Sequence, residues 1–351
     1  MRIWEQATER ALVSLRAALS EGAPIAVVYH ADADGTSSAA LAMAAIEKHG
    51  GQTLPLTPRK GENVHDPAFS ATIDESGAGL VVVLDTGSRR GRLFRIPTIV
   101  VDHHRIDTDD APDVEAFVST FGREPLISTS ALAWELFSSF ADIRERAWLG
   151  AIGLIGDLGD KAKTHPLVQD AAAIHKMTHL RDAVSLVNAA GRSSTHEADV
   201  ALRALVEARG PIDIVRGNGN AASRLHELKQ EVAEATKRAI RKAPRIVGRW
   251  AIIEFAEPCR IHGSVASAWT RKLHDRIVLA GNRGYVPGRV HFSVRSHEPL
   301  DLRAELRALL PDAGPDFASG HDRATGGIVD VDVFDELLRR IESRAMIASA
   351  A

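Results

Sequence analysis

Three segments of the chain are apolar runs that stop on an acidic residue: PIAVVYHADADG (24–35), GLVVVLDTGS (79–88) and PTIVVDHH (97–104). A run of Val, Ile and Leu without polar alternation predicts a short strand buried on both faces, and such strands belong to parallel sheets covered by helices. In open parallel sheets, loops at the carboxyl ends of neighbouring strands converge on one crevice, where ligands bind. Asp32, Asp34, Asp85 and Asp102, with His30, His103 and His104, are therefore expected around a single point. Carboxylates at that density repel one another unless cations lie between them. The pattern predicts a metal cluster.

The flanking segments alternate β with α. Thr36–Lys48 has helical spacing, with Thr36 or Ser37 placed to cap it. STSALAWELFSSF (128–140) reads as a helix capped by Ser128 or Thr129, and RERAWLGAIGLIG (144–156) as an apolar helix running into Asp157. This alternation predicts a doubly wound parallel sheet. From about 168 to 243 the pattern is mostly helical, broken at GRSS (191–194) and GNGN (217–220). The charged stretch 222–243 reads as a connecting helix that Pro244 ends. Strands return at 245–255, 277–282 and 288–296, around a helix near 263–275, and 331–344 is a closing amphipathic helix. The expected fold is α/β: an N-terminal doubly wound domain (1–190), a helical connector (191–244) and a smaller C-terminal α/β domain (245–351). A length of 351 residues favours two cores over one.

Charge is divided along the chain. Residues 1–160 hold 23 Asp and Glu against 14 Lys and Arg, whereas residues 237–295 hold 13 Lys and Arg against Glu254, Glu257 and Asp275. Ten of those 13 are Arg, the better bidentate partner for phosphate. An acidic part able to hold cations, joined to a basic part able to hold anions, suggests a phosphate-bearing substrate. The single cysteine, Cys259, excludes an internal disulfide framework and a thiolate zinc site. The charged amphipathic N-terminus is no signal peptide and no apolar run spans a membrane, so a cytoplasmic protein is expected.

In HADADG, His30, Asp32 and Asp34 alternate with alanine, and on an extended segment all three project to one side. Carboxylates mixed with imidazoles suit Mn²⁺ or Zn²⁺ better than Ca²⁺. Asp85 is placed to bridge two ions at roughly 3.5–4 Å, the spacing of two-metal phosphoryl-transfer sites. Asp160, three residues beyond Asp157, is expected to cap a helix.

These motifs carry a family resemblance. HADADG, Asp85 after its strand, DHH at 102–104 and Gly156–Asp157 resemble, in order, the four motifs of the DHH phosphoesterase superfamily. VHFSVRS (290–296) and ASGHDRATGG (318–327) resemble its DHHA1 partner domain, although Ser319 stands where the family has a glycine. The first and fourth motifs look most like the RecJ-like exonuclease branch, particularly its archaeal-type members. The resemblance implies two divalent ions, Mn²⁺ first and Mg²⁺ second. It assigns His30, Asp32 and Asp85 to one ion, and Asp34, Asp85, His103 and Asp157 to the other. It gives Asp102 the orientation of a histidine, and sets His104 at the scissile phosphate. Arg295, Ser296, Gly320, His321, Gly326 and Gly327 would contact nucleotide phosphate.

The expected function is hydrolysis of single-stranded DNA or RNA, or of short oligonucleotides, from an end, with the Arg-rich 237–295 region lining the strand. Few aromatic residues are available for stacking: Trp250, Phe255, Trp269, Tyr285 and Phe292. Hydrolysis of a small phosphate compound, such as a cyclic dinucleotide or nucleoside bisphosphate, is the alternative. A non-catalytic nucleic-acid-binding relative is a third reading, set against the survival of every expected ligand.

Overall fold

The three apolar runs form the centre of a parallel sheet in the computed structural model, which describes residues 3–104, 106, 111–120, 127–314, 317–321 and 323–350. In chain order the first part contains α1 (Ile3–Glu21), β1 (Ile25–Tyr29), α2 (Ala33–Lys48), β2 (Thr53–Leu56), α3 (Pro67–Asp74), β3 (Leu80–Leu84), β4 (Thr98–Asp102) and β5 (Ala116–Ser119). The helices α4 (Thr129–Phe140), α5 (Ala147–Leu158), α6 (Pro166–His175), α7 (Met177–Arg192), α8 (Ala198–Glu207), α9 (Pro211–Arg216) and α10 (Asn220–Ile240) follow. All strand pairings are parallel and the order is β2-β1-β3-β4-β5. The chain leaves β1 for one edge and returns to build outward on its other side, so β1 and β3 flank the switch point where such sheets open a crevice.

Register fixes what lies at that crevice. Tyr29 pairs with Leu84, and Leu84 with Val101. The residues that follow, His30, Asp85 and Asp102, therefore stand in one row across the sheet. Every residue of β1, β3 and β4 is buried. Ile25, Val27, Tyr29, Leu80, Val82 and Leu84 face a core shared with α1, α2, α4 and α5. Ala26, Val28, Val81 and Val83 face the opposite core with Phe69 and Ile73 of α3. Burial of each such Val, Ile or Leu contributes about 1.5–3 kcal/mol, which is why these runs tolerate no polar alternation. The edge strands β2 and β5 have four residues each and only partial burial. Pro55 of β2 is tolerated because an edge strand leaves one row of backbone groups unpaired.

The second part contains β6 (Arg245–Val247), β7 (Trp250–Phe255), α11 (His262–Thr270), β8 (Ile277–Val286), β9 (Arg289–Arg295), α12 (Leu302–Leu309), β10 (Ser319–His321), β11 (Ala324–Asp330) and α13 (Val331–Ala350). Its sheet runs β10-β11-β9-β8-β7-β6 and is mixed: β7 pairs with β8 in parallel, all other neighbours antiparallel. Trp250, Ile252, Leu279, Phe292 and Val294 pack one face against α12 and α13, and Ala251, Ile253, Val278 and Ala280 pack the other against α11 and the end of α10. The chain divides into two compact units, residues 1–191 with 196–229, and residues 192–195 with 230–351, so the division falls inside α10. No helix among the described residues is long and apolar enough to cross a membrane.

Candidate metal centre

HADADG is not one extended segment, because α2 begins at Ala33. Asp32 is extended and is the N-cap of α2, its Oδ1 accepting from the backbone N–H groups of Asp34 (3.1 Å) and Gly35 (3.0 Å). The helix thus begins at Ala33, three residues before the cap expected at Thr36 or Ser37. An aspartate is as good a cap as serine or threonine, and here the ligand motif itself supplies it. Gly35 is required for space: a Cβ there would strike the backbone oxygen of His30.

Asp34 occupies the first turn of α2, 3% exposed. Its carboxylate is received by the N-terminus of α4. Thr129 N–H donates to Oδ2 (2.8 Å) and Ser130 N–H to Oδ1 (2.9 Å), placing negative charge where a helix presents unsatisfied donors. Ser128 precedes α4 but makes no side-chain cap; the cap is Asp34, distant in sequence. Gly153 of α5 leaves room for this, because a Cβ there would collide with Ser130 and Asp34.

Asp85 is the hub. Its backbone is left-handed, φ +64°, a conformation that Asp adopts more readily than most residues. His103 Nε2 lies 3.4 Å from its Oδ1, His104 Nδ1 3.8 Å from the same oxygen, and His30 Nδ1 3.7 Å from Oδ2. His30 Nδ1 also lies 2.9 Å from Asp32 Oδ2. His103 is 3.6 Å from Asp157 Oδ2 and 4.0 Å from Asp34 Oδ2. The residues expected to converge do so. Two donor sets share Asp85: His30, Asp32, Asp85 and Asp85, His103, His104, each with ligand atoms within 4.8 Å of one another. Asp102 stands behind them; its Oδ1 accepts from His104 N–H (2.8 Å) and Nδ1 (2.7 Å). That bond fixes the ring and leaves Nε2 as its working nitrogen. Asp160 is exposed and bonds to Lys163 and Arg181, so its expected cap role is not met.

The electrostatics follow from crowding. Asp34 is pushed up to about 8, by burial first and by repulsion from Asp85. Burial also raises Asp157. Burial opposes ionisation of Asp85 as well, but contacts with His103 and His30 outweigh it and hold the carboxyl well below its ordinary range. Burial lowers His30 and His103, yet both rise to about 10, His30 through Asp32 and His103 through Asp85. For His104, burial is outweighed by the bond to Asp102, and it rises to about 9. The cluster therefore draws positive charge to itself. The buried Nδ1 of His103 has no hydrogen-bond partner among the described residues; Asp157 Oδ2 lies 3.6 Å from it. Hard carboxylates with borderline imidazoles fit divalent ions of the Mn²⁺ and Mg²⁺ type.

The second unit carries a cavity of about 630 Å³, lined by Arg192, Arg260, Arg271, Arg295, His262 and His291 among others. Alternation along β9 explains three lining residues: His291, Ser293 and Arg295 face the cavity while Phe292 and Val294 face the core. Among the described residues the guanidinium groups of Arg260, Arg271 and Arg295 make no ion pair, and the buried Nε of Arg295 has no hydrogen-bond partner. Burial, and then repulsion from Arg271, lowers Arg295. Burial, and then the charge of His291 and the arginines, holds His262 well below its ordinary value. Gly326 and Gly327 also line the cavity, from β11. Gly326 is required there because a Cβ would strike the backbone of Phe292 in β9. Ser296 lies outside the lining; its Oγ accepts from Glu298 N–H (3.0 Å). Gly320 and His321 are placed in β10, and their side chains lie outside the described residues. Trp250, Phe255, Tyr285 and Phe292 are core residues.

Arg192, Arg260, Arg271 and His262 were not distinguishable in the sequence from other basic residues. Thr129 and Ser130 were visible only as part of a cap motif. The faint signal for the cavity was the uneven charge of 237–295.

Sheet order, crevice and acid–imidazole cluster together define a doubly wound α/β domain with a candidate divalent-metal centre. Residues 24–154 match the DHH family, N-terminal domain. It is similar to the single-stranded-DNA-specific exonuclease RecJ of Escherichia coli (strain K12), 33% identical over 141 residues, 37% of this chain and 24% of that protein. The chain spans about a quarter of the length of the curated relatives it matches. Two solved structures share the fold at 20% identity. RecJ from Thermus thermophilus in complex with Mn²⁺ has a TM-score of 0.73, covering 97% of this chain and 55% of that one. An exonuclease RecJ bound to manganese has a TM-score of 0.71, covering 97% and 94%.

Proposed function

We propose that the chain is a two-metal phosphodiesterase that hydrolyses single-stranded nucleic acid or short oligonucleotides from an end. The observation that carries this reading is the place of Asp85 between two groups, His30 and Asp32 on one side and His103 on the other, with Asp34 and Asp157 beside His103. The curated relatives are named for single-stranded DNA, which favours that substrate. His30, Asp32 and Asp85 would hold one ion and Asp34, Asp85, His103 and Asp157 the other, Mn²⁺ in preference to Mg²⁺. Divalent cations held there would supply a nucleophile at neutral pH and neutralise phosphoryl charge.

The chain's own residues do the rest. Asp102 holds His104 with Nε2 available, and the bond to Asp102 favours the protonated ring. That proton is the one a leaving oxygen needs. The unpaired arginines of the second unit would bind the nucleotide's phosphates, Arg295 first, with the backbone of Gly326 and Gly327 alongside. Gly320 and His321 are further contacts that this reading assigns, whereas Ser296 stands outside the cavity lining.

A second reading is hydrolysis of a small phosphate compound, such as a cyclic dinucleotide or a nucleoside bisphosphate. It is favoured by the burial of Trp250, Phe255, Tyr285 and Phe292, which leaves no row of these rings for stacking a long strand. The deciding experiment gives the purified chain Mn²⁺, Mg²⁺ or a chelator, with end-labelled DNA, RNA, dinucleotides and cyclic dinucleotides. Single-nucleotide products from one end of a labelled strand are expected with Mn²⁺. Turnover of cyclic dinucleotides alone favours the second reading, and no cleavage of any substrate with either ion rejects both.

A further inference from the structure

We propose that Thr129 is a positioning residue that sets the direction of the Asp85 carboxylate relative to that of Asp34, an inference that rests on the two-metal reading. Thr129 opens α4, is fully buried, and touches both acids at once. Its backbone N–H donates to Asp34 Oδ2 at 2.8 Å, and its Oγ1–H donates to Asp85 Oδ1 at 3.0 Å. The hydroxyl makes a shorter contact with Asp85 Oδ1 than His103 (3.4 Å) or His104 (3.8 Å) does.

The geometry explains why Asp85 needs such a partner. The strand ends at Leu84, and Asp85 leaves it with a left-handed backbone whose N–H is tied to Val101 O (3.1 Å). The backbone is thereby fixed, but the carboxylate can still rotate about its own bonds. Thr129 removes that freedom. Its hydroxyl takes one position on Oδ1, so that Oδ1 faces the His103 and His104 side while Oδ2 faces His30. Thr129 is itself held: its N–H is committed to Asp34, and a β-branched side chain in a helix has few χ1 choices. One residue therefore registers the two carboxylates against each other. Ser130 adds a second hold on Asp34 and anchors α4 by donating its hydroxyl to Gly150 O at 3.1 Å.

The test measures Mn²⁺ uptake by the full chain, not turnover alone. Wild type, Thr129→Ser, Thr129→Val and Thr129→Ala are titrated with Mn²⁺ by calorimetry, with electron paramagnetic resonance reporting spin coupling between bound ions. Far-UV melting of each protein without added metal runs in parallel. Wild type and Thr129→Ser are expected to bind two Mn²⁺ with a coupled spectrum. Thr129→Val keeps the shape without the donor, and it is expected to lose about 10- to 100-fold in affinity for at least one ion, the cost of removing a group that orients a ligand. It is also expected to lose the coupling while keeping a cooperative melt. Thr129→Ala should behave alike, and it decides the matter if the valine chain does not fold. The inference alone is overturned if wild type binds a coupled pair and both hydroxyl-free variants match it. It is equally overturned if Thr129→Ser falls as far as Thr129→Val. A wild-type chain that takes up no second Mn²⁺ overturns the two-metal reading and this inference with it.

Discussion

The two units deal with concentrated charge in opposite ways. In the first, every charge of the cluster has a partner of the other sign nearby: Asp85 with His30, His103 and His104, Asp32 with His30, Asp157 with His103. Burial makes isolated carboxylates costly, and the cluster survives as a set of mutually supporting pairs in which divalent cations would take the place of the imidazole protons. In the second unit most arginines are paired at the surface, as with Arg238 and Glu257, Arg249 and Glu305, or Arg283 and Glu254. Arg260, Arg271 and Arg295 differ from these: they line a shared cavity, make no ion pair among the described residues, and no carboxylate is among that cavity's lining residues. Three guanidinium groups around one cavity would suit an anion, in keeping with the proposed phosphate contacts. The contrast teaches that local charge alone is a poor guide. What matters is whether the fold supplies the counter-charge.

Breaking the first unit's network should have the largest effect. Asp85→Asn is expected to lower Mn²⁺-dependent cleavage by about 10³-fold or more, the scale of losing a central catalytic group, while the protein still melts cooperatively. Activity within a few-fold of wild type would end the role of Asp85 as hub. Breaking the second unit's cavity should act on binding instead. Arg295→Ala is expected to raise KM for oligonucleotides by about 10- to 100-fold, the worth of one or two charge-assisted hydrogen bonds. Turnover of a small chromogenic phosphodiester should stay near wild type, and equal losses on both substrates would remove the cavity from substrate binding.

A smaller effect sharpens the role of Asp102. His104 is raised to about 9 by the bond to Asp102, against the lowering effect of burial. If His104 gives up a proton, rate falls as pH rises through that value. Asp102→Asn weakens the hold on the proton, so the alkaline limb of the pH–rate profile should move to lower pH, with kcat down about 10-fold. An unmoved limb would show that another group sets it.

The smallest effect concerns stability. His262 in the cavity is lowered in the folded state by burial and by the charges of His291 and the arginines, so it is neutral there while an unfolded chain protonates it below about 6.5. A depressed folded value means stability is complete above 6.5 and is lost as pH falls toward the folded value, by up to about 1.4 kcal/mol per pH unit. Calorimetric melts between pH 7 and pH 5 should show this loss in wild type and less of it in His262→Gln. Parallel curves would refute the assignment.

Much of the first unit was legible because its signals are local. Unbroken apolar runs identified β1, β3 and β4, since a strand buried on both faces leaves no place for polar alternation. The edge strands β2 and β5 gave no such signal, being four residues long and partly exposed. The start of α2 was misplaced because Thr36 and Ser37 look like caps, and nothing nearby shows that Asp32 takes that role first. In the second unit, the place of Gly326 and Gly327 in a strand was not legible, because Gly326 is demanded by the close approach of β9, a contact between distant segments.

The sequence by itself determined the kinds of atom available: which carboxylates and imidazoles follow strands, and where arginine is concentrated. Only the tertiary structure decided their partners. Strand register set His30, Asp85 and Asp102 in one row, and α4 brought Thr129 to Asp34 and Asp85 across 95 and 44 positions of chain. The physical reason is that donor chemistry is a property of single residues, whereas orientation and counter-charge depend on contacts between distant segments that no local periodicity encodes.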